Sequence, residues 1–180
     1  MSTLTVKKIL CPFDFTRFCR EGLEMAVTIA RQFDAELHVL HVVVTPPSYV
    51  VAQGSYVPGI LEDQHRVESR IAKEREPEIE AEVQALGGGD LRHKVVVMEG
   101  VREDLVIREY AETIGADLIV MASHGRRGLV RFFLGSTTER VLKGAPCPVL
   151  IVRPREARER DRLTDQGQTA CADESRSGEG

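Results

Sequence analysis

Five short apolar runs, at 8–13, 37–44, 93–98, 117–122 and 148–152, recur along the chain, and each is separated from the next by a segment with helical periodicity. Near-continuous apolar strands of this kind are covered on both faces, and strands joined through helices run parallel, because each right-handed crossover returns the chain to the same end of the sheet. The resulting β-α-β-α-β-α-β-α-β pattern specifies an α/β fold, a single doubly wound five-stranded parallel sheet with helices on both faces.

The intervening segments carry their own signals. Pro12 ends the first run, since proline donates no ladder hydrogen bond. Thr16 is placed to cap a helix in which Cys19, Leu23, Ala26, Val27 and Ala30 recur at spacings of three and four and so share one face. After the second run, Pro46, Pro47, Gly54, Pro58 and Gly59 break regular structure over 45–59. A charged helical stretch with Val67, Ile71, Ile79, Val83 and Leu86 then continues to Gly87-Gly88-Gly89, with Pro77 expected to kink or restart it. Ile107, Tyr110, Ala111 and Ile114 mark a helix ended by Gly115, and a short helix starts at Ser136.

Composition removes several function classes. A formal charge of -4 over 180 residues argues against a chain built to grip nucleic acid or an anionic membrane. No stretch approaches the roughly 18 apolar residues of a membrane span, and the polar start, Met1 to Lys8, does not read as a secretion signal, so a cytoplasmic location is expected. Cys11, Cys19, Cys147 and Cys171 form no C-x-x-C pair and no ligand spacing with histidine, so neither metal nor disulfide chemistry is assigned to them. Residues 1–153 are expected to form the domain. The charged tail at 154–180 holds five apolar residues and no aromatic, too few to offset the entropy of ordering, and is expected to be disordered after a turn or two of helix at 155–163.

In an open parallel sheet the ligand crevice lies at the carboxyl ends of the strands, where the winding reverses. With the first strand central, that crevice falls between Pro12-Phe13-Asp14 and the end of the fourth strand, Met121-Ala122-Ser123-His124-Gly125. The segment 121–139 combines glycines, hydroxyls and arginines just before a helix start. Glycines let backbone N–H groups approach an anion, and a helix start offers unpaired donors with partial positive charge, which is what phosphate needs. A second reading stays open at this point: Ser136 with Glu139 forms a capping box, and Gly125 and Gly128 are turn residues.

The same loop resembles the motif of the universal stress protein family, G-x-x-G-x9-G-[ST], with nine residues between Gly125 and Gly135, Ser136 following, and Ala145 to Val152 similar to the family's last strand. Lys8 to Thr16 is similar to its opening strand and acidic residue. The resemblance spans 7–153 and implies a Rossmann-like sheet of order 3-2-1-4-5, a cytoplasmic stress-response regulatory protein, and ATP as ligand, with or without Mg, AMP and ADP remaining open. Carried over by position, it implies that Pro12, Asp14 and Val42 line the nucleoside pocket, with Val42 near adenine. Met121, Ala122, Ser123, His124 and Gly125 would follow the ribose and first phosphates, and Gly135, Ser136, Thr137 and Thr138 would hold the outer phosphates. Ala122 stands where the motif has its first glycine, and its methyl is expected to crowd the ribose or phosphate. Arg126 and Arg127 are expected to be solvated, and His124 to make a contact or order the loop. His38 and His41 read as structural or surface groups, and His65 and His93 as lacking clustered partners.

Binding, not turnover, is the expected function. Phosphoryl transfer requires placed metal ions and a nucleophile-orienting group, yet the loop has no G-x-x-x-x-G-K-[ST] lysine and no acidic pair beyond Asp14. Weak ATPase activity or self-phosphorylation at Ser136, Thr137 or Thr138 ranks third. Ranked second is a dimeric scaffold or chaperone-like interaction protein that binds no nucleotide. The apolar last strand, Val149 to Val152, would leave an open edge in a monomer, and pairing with the same strand of a second copy would close it into a homodimer.

Overall fold

In the computed structural model of the chain, residues 5–44, 74–123, 134–153 and 155 are described. Their elements are β1 (Lys8–Pro12), α1 (Arg17–Phe33), β2 (Glu36–Val44), a helical segment over 74–85 (α2), β3 (His93–Gly100), α3 (Glu103–Ile114), β4 (Leu118–Ala122), α4 (Ser136–Gly144) and β5 (Val149–Val152). All five strands pair in parallel in the order β3-β2-β1-β4-β5, the doubly wound sheet expected from the alternation of runs and helices. β3 continues two residues past Met98 because Glu99 and Gly100 find register partners in Val43 and Val44.

Successive strand residues point to opposite faces, and two cores result. Ile9, Cys11, Leu37, Val39 and Val120 pack against Leu23, Ala26, Val27 and Ala30 of α1 and Ile79 and Val83 of α2. Leu10, Leu40, Ile119 and Met121 pack on the other face against Ile107 and Ala111 of α3 and Val141 of α4. Ile9, Leu10, Leu37, Leu40 and Ile119 are fully buried, each contributing roughly 1.5–3 kcal/mol relative to exposure.

Helix ends follow the local chemistry. Thr16 is the N-cap of α1, its hydroxyl accepting from the Cys19 amide at 3.3 Å. Gly115 closes α3 with φ 61°, a left-handed conformation that glycine adopts without a Cβ penalty, and its amide bonds the orphan carbonyls of Ala111 and Glu112. Helical backbone runs on both sides of Pro77 from 74 to 85, so within the described residues the proline does not divide the helix. The expected tail helix and disorder at 156–180 fall outside the described residues, as do His65 and Cys171.

The histidines differ from expectation in one respect. His93 does have a partner: its Nε2 lies 2.9 Å from both carboxylate oxygens of Glu80, and its Nδ1 donates to the Leu91 carbonyl at 3.0 Å. α2 docking against β3 makes this pair, which spacing along the chain does not reveal. His38 is structural as expected, buried with Nδ1 2.9 Å from the Tyr110 hydroxyl. Glu36 Oε1 stands 3.3 Å from its Nε2, without the alignment of a hydrogen bond.

Burial lowers the His38 pKa below its ordinary value, with Lys94 and Lys8 adding to the effect and Glu36 opposing it. A histidine whose folded pKa is depressed takes up its proton more readily in the unfolded chain, so stability falls as pH drops from the unfolded value of about 6.5 toward the folded one. We expect the urea midpoint to fall between neutral pH and pH ~5, and the fall to be smaller in His38→Gln; an unchanged pH profile in that variant would remove His38 as its source.

Candidate functional site

β1 lies between β2 and β4, so the winding reverses beside it. It pairs with β2 along its whole length, to Pro12↔Leu40, but with β4 only at Ile9↔Leu118 and Leu10↔Ile119. Past Leu10 the ladder on the β4 side ends, and Pro12-Phe13-Asp14 and Met121-Ala122-Ser123 follow at the carboxyl end of the sheet, where an open parallel sheet has its ligand crevice.

One wall is built from the turn after β1. Asp14 is half-buried, and its Oδ1 accepts from the Thr16 amide at 2.9 Å and from the Thr16 hydroxyl at 2.6 Å. Thr16, not Asp14, is the N-cap; Asp14 fixes that cap from two residues before it. Between them Phe15 takes φ 61°, uncommon for a residue with a side chain. Its ring sits edge-on to Phe13 and His41, with centroids 5.1 and 4.9 Å away, and the Arg75 guanidinium lies 4.7 Å over its face. His41 Nδ1 donates to the Phe13 carbonyl at 2.7 Å. This aromatic support behind Asp14 joins residues from β2 and α2 that sequence spacing does not connect. Burial, reinforced by Asp14, pushes the Cys19 thiol up to about 12, so it stays protonated near neutral pH.

The opposite wall joins β4 to α4. The Gly135 amide donates to the Ser123 carbonyl at 2.9 Å, the buried Thr138 hydroxyl donates to the Ala122 carbonyl at 3.2 Å, and the Ser123 amide donates to the Val152 carbonyl at 2.9 Å. Three hydrogen bonds thus clip the start of α4 and the end of β5 to the end of β4. Gly135 is the N-cap of α4 and makes no side-chain cap bond, while exposed Ser136 is the first helical residue. Ser136 with Glu139 is therefore not a capping box: Glu139 instead accepts from Lys143 at 2.7 Å, one turn on. Leaving the first amides of α4 without a side-chain cap keeps donors and partial positive charge at the crevice.

Of the expected site residues, Pro12 ends β1 with Asp14 in the turn after it, Met121 and Ala122 end β4 with Ser123 following, Gly135 to Thr138 form the start of α4, and half-buried Val42 lies on β2. His124 and Gly125, with Arg126 and Arg127, lie outside the described residues. Two hydroxyls in the group already have protein partners: Thr138 bonds Ala122, and Thr137 donates to Glu103 Oε2 at 2.9 Å.

Ala122 alternates with Met121 and packs toward α1, where Gly22 makes room: a Cβ built on Gly22 would lie 3.7 Å from the Ala122 Cβ and 3.3 Å from its amide nitrogen. Strand alternation turns the methyl into the core, away from the α4 side.

Glu103 and Asp104, at the start of α3, were not singled out by any motif. Asp104 is only 2 % exposed, takes a two-pronged hydrogen bond from Arg102 at 3.2 and 2.6 Å, and has Arg140 of α4 3.9 Å away. The Arg102 guanidinium holds its carboxyl below the usual range, against the effect of burial. Acidic residues in a first helical turn are the available signal, since they favour the helix dipole, but their contacts to α4 depend on helix packing.

The sequence profile described as the Universal stress protein family matches residues 5–153. The chain belongs to the universal stress protein family. A universal stress protein of Methanocaldococcus jannaschii is 36% identical over 149 residues, covering 82% of each chain. Among solved structures, the universal stress protein of Lactobacillus plantarum superposes with a TM-score of 0.68 at 24% identity, covering 84% of this chain and 100% of its own. Two further universal stress protein structures share the fold: one in complex with cAMP, at TM-score 0.56 and 19% identity, and one from Archaeoglobus fulgidus in complex with dAMP, at 0.50 and 16%. They cover 83% of this chain and 98% of their own. Among the described residues of this family member, no helix is long and apolar enough to cross a membrane.

Proposed function

We propose that the domain at 1–153 binds an adenine nucleotide in the crevice between β1 and β4, and that binding, with ATP as the expected ligand, is the function of this cytoplasmic stress-response protein. The observation that carries the reading is the attachment of the α4 start to the end of β4 by Gly135 and Thr138, which puts uncapped helix amides beside the sheet's reversal point. Adenine mononucleotides in two proteins of this fold support the choice of base. Asp14 offers its second carboxylate oxygen to a ribose hydroxyl or base amine, and Ser136 offers an exposed hydroxyl beside the helix amides. A bound nucleotide would bridge the two walls and favour the conformation in which they are held together, which is how a binding event is passed to a partner.

We further propose a homodimer through β5, which among the described residues pairs only with β4 and carries Leu150 37 % exposed. Native mass spectrometry of the purified protein is expected to give a dimer carrying adenine nucleotide; an empty dimer that takes up none favours the scaffold reading, and a monomer removes the interface. At a hundredfold excess over Kd, added nucleotide stabilises the folded state by about 2.7 kcal/mol, raising the unfolding midpoint by roughly 5–11 °C. Gly135→Asp should abolish that rise without unfolding the domain. Its φ of -54° and ψ of 147° suit aspartate, a favoured N-cap, whose carboxylate would occupy the place of the phosphate. A full ligand-induced shift in that variant would exclude the α4 start as the anion site.

A further inference from the structure

Glu103 stands at the start of α3, beside the start of α4. Its neighbour Asp104 is matched by Arg102 and Arg140, but among the described residues no cation pairs with Glu103, whose Oε2 instead accepts from the Thr137 hydroxyl at 2.9 Å. Thr137 is the second residue of α4, so this contact carries a negative charge to within about one helical turn, roughly 5–6 Å, of the amides at the helix start. The start of α3, packed beside α4 on the same face of the sheet, thereby places an anion where the proposed site is meant to receive one.

We infer that Glu103 is a specificity-determining residue that makes binding of a nucleoside triphosphate depend on a divalent cation while leaving a nucleoside monophosphate nearly unaffected. The inference rests on the nucleotide reading above, in which outer phosphates approach Gly135 to Thr138 and the first phosphate stays by the end of β4. A carboxylate and a polyphosphate tail held a few ångströms apart repel, and partial burial weakens solvent screening of that repulsion. Mg²⁺ relieves it directly, since it binds phosphate oxygens together with one or two carboxylates. A monophosphate has no charge at the α4 end and does not meet Glu103. Asp104 cannot play the same part, because its two arginines already compensate it.

Isothermal titration calorimetry of the full chain with AMP and with ATP, each in EDTA and in excess Mg²⁺, tests this. For the unmodified protein, Mg²⁺ is expected to tighten ATP binding about tenfold and to change AMP binding less than about twofold. Glu103→Gln keeps an acceptor for Thr137 but removes the charge; it should bind metal-free ATP about tenfold more tightly and lose most of the Mg²⁺ effect. Equal changes for AMP and ATP in Glu103→Gln, or an unchanged metal-free ATP affinity in that variant, would each overturn the role of Glu103. Absence of binding by either nucleotide to the unmodified protein in both buffers would instead overturn the nucleotide reading, and this inference with it.

Discussion

Replacing Gly22 by valine is expected to destabilise the domain by about 3 kcal/mol, lowering its unfolding midpoint by roughly 6–12 °C, and to weaken nucleotide binding in whatever protein remains folded. Gly22 lies on the buried face of α1, and the first atom of any side chain there would come within 3.3 Å of the Ala122 amide nitrogen. Backbone cannot give way as a flexible side chain does, so the two further methyls of valine must push α1 away from β4 or displace the strand end. Either movement disturbs the carbonyls of Ala122 and Ser123 that hold α4. Alanine at the same position adds a single methyl and gains the helix propensity glycine lacks, about 1 kcal/mol, so it should cost much less than valine. Urea denaturation checks this series; a valine variant within about 1 kcal/mol of the unmodified protein would mean that the α1–β4 contact yields readily.

A comparable loss is expected from Ile119→Ala, about 4 kcal/mol with a midpoint lower by roughly 8–16 °C. Ile119 is fully buried, pairs with Leu10 of β1 on one side and Val149 of β5 on the other, and packs into the core beneath α3 and α4. Truncation there removes apolar contact and leaves a cavity that a sheet interior, pinned by ladders on both sides, closes poorly. Val101→Ala is the matched control: with Val101 56 % exposed, its cost should stay within about 0.5 kcal/mol. Thermal unfolding of the two variants side by side distinguishes a rigid sheet centre, which predicts this wide gap, from a core that repacks.

Much of the backbone around the candidate site was legible because its signals are local. Proline after an apolar run, threonine before a helix and glycine at a left-handed position each act through the backbone within a few residues, and Pro12, Thr16 and Gly115 behave as their types require. The motif spacing likewise placed Gly135 and Ser136 at the start of α4. What misled was chemistry that local spacing leaves undecided. Ser136 and Glu139 fit a capping box in sequence, but the N-cap position is held by Gly135, so the serine is already the first helical residue. That the Ala122 methyl lies toward Gly22 of α1 is likewise set by the pleat of β4 and not by the motif.

The amino-acid order by itself determined the alternation of strands and helices, the parallel sheet, the helix caps and the family, since all of these follow from periodicity and short-range backbone chemistry. Only the tertiary structure decided which side chains meet across elements: Glu80 with His93, Tyr110 with His38, Glu103 with Thr137. Such pairs join residues as far as 72 positions apart, and they form because two packed layers fix the angle and height at which helices rest on the sheet. The charge that Glu103 brings to the α4 start belongs to that second kind, set by how α3 and α4 pack and not by any motif.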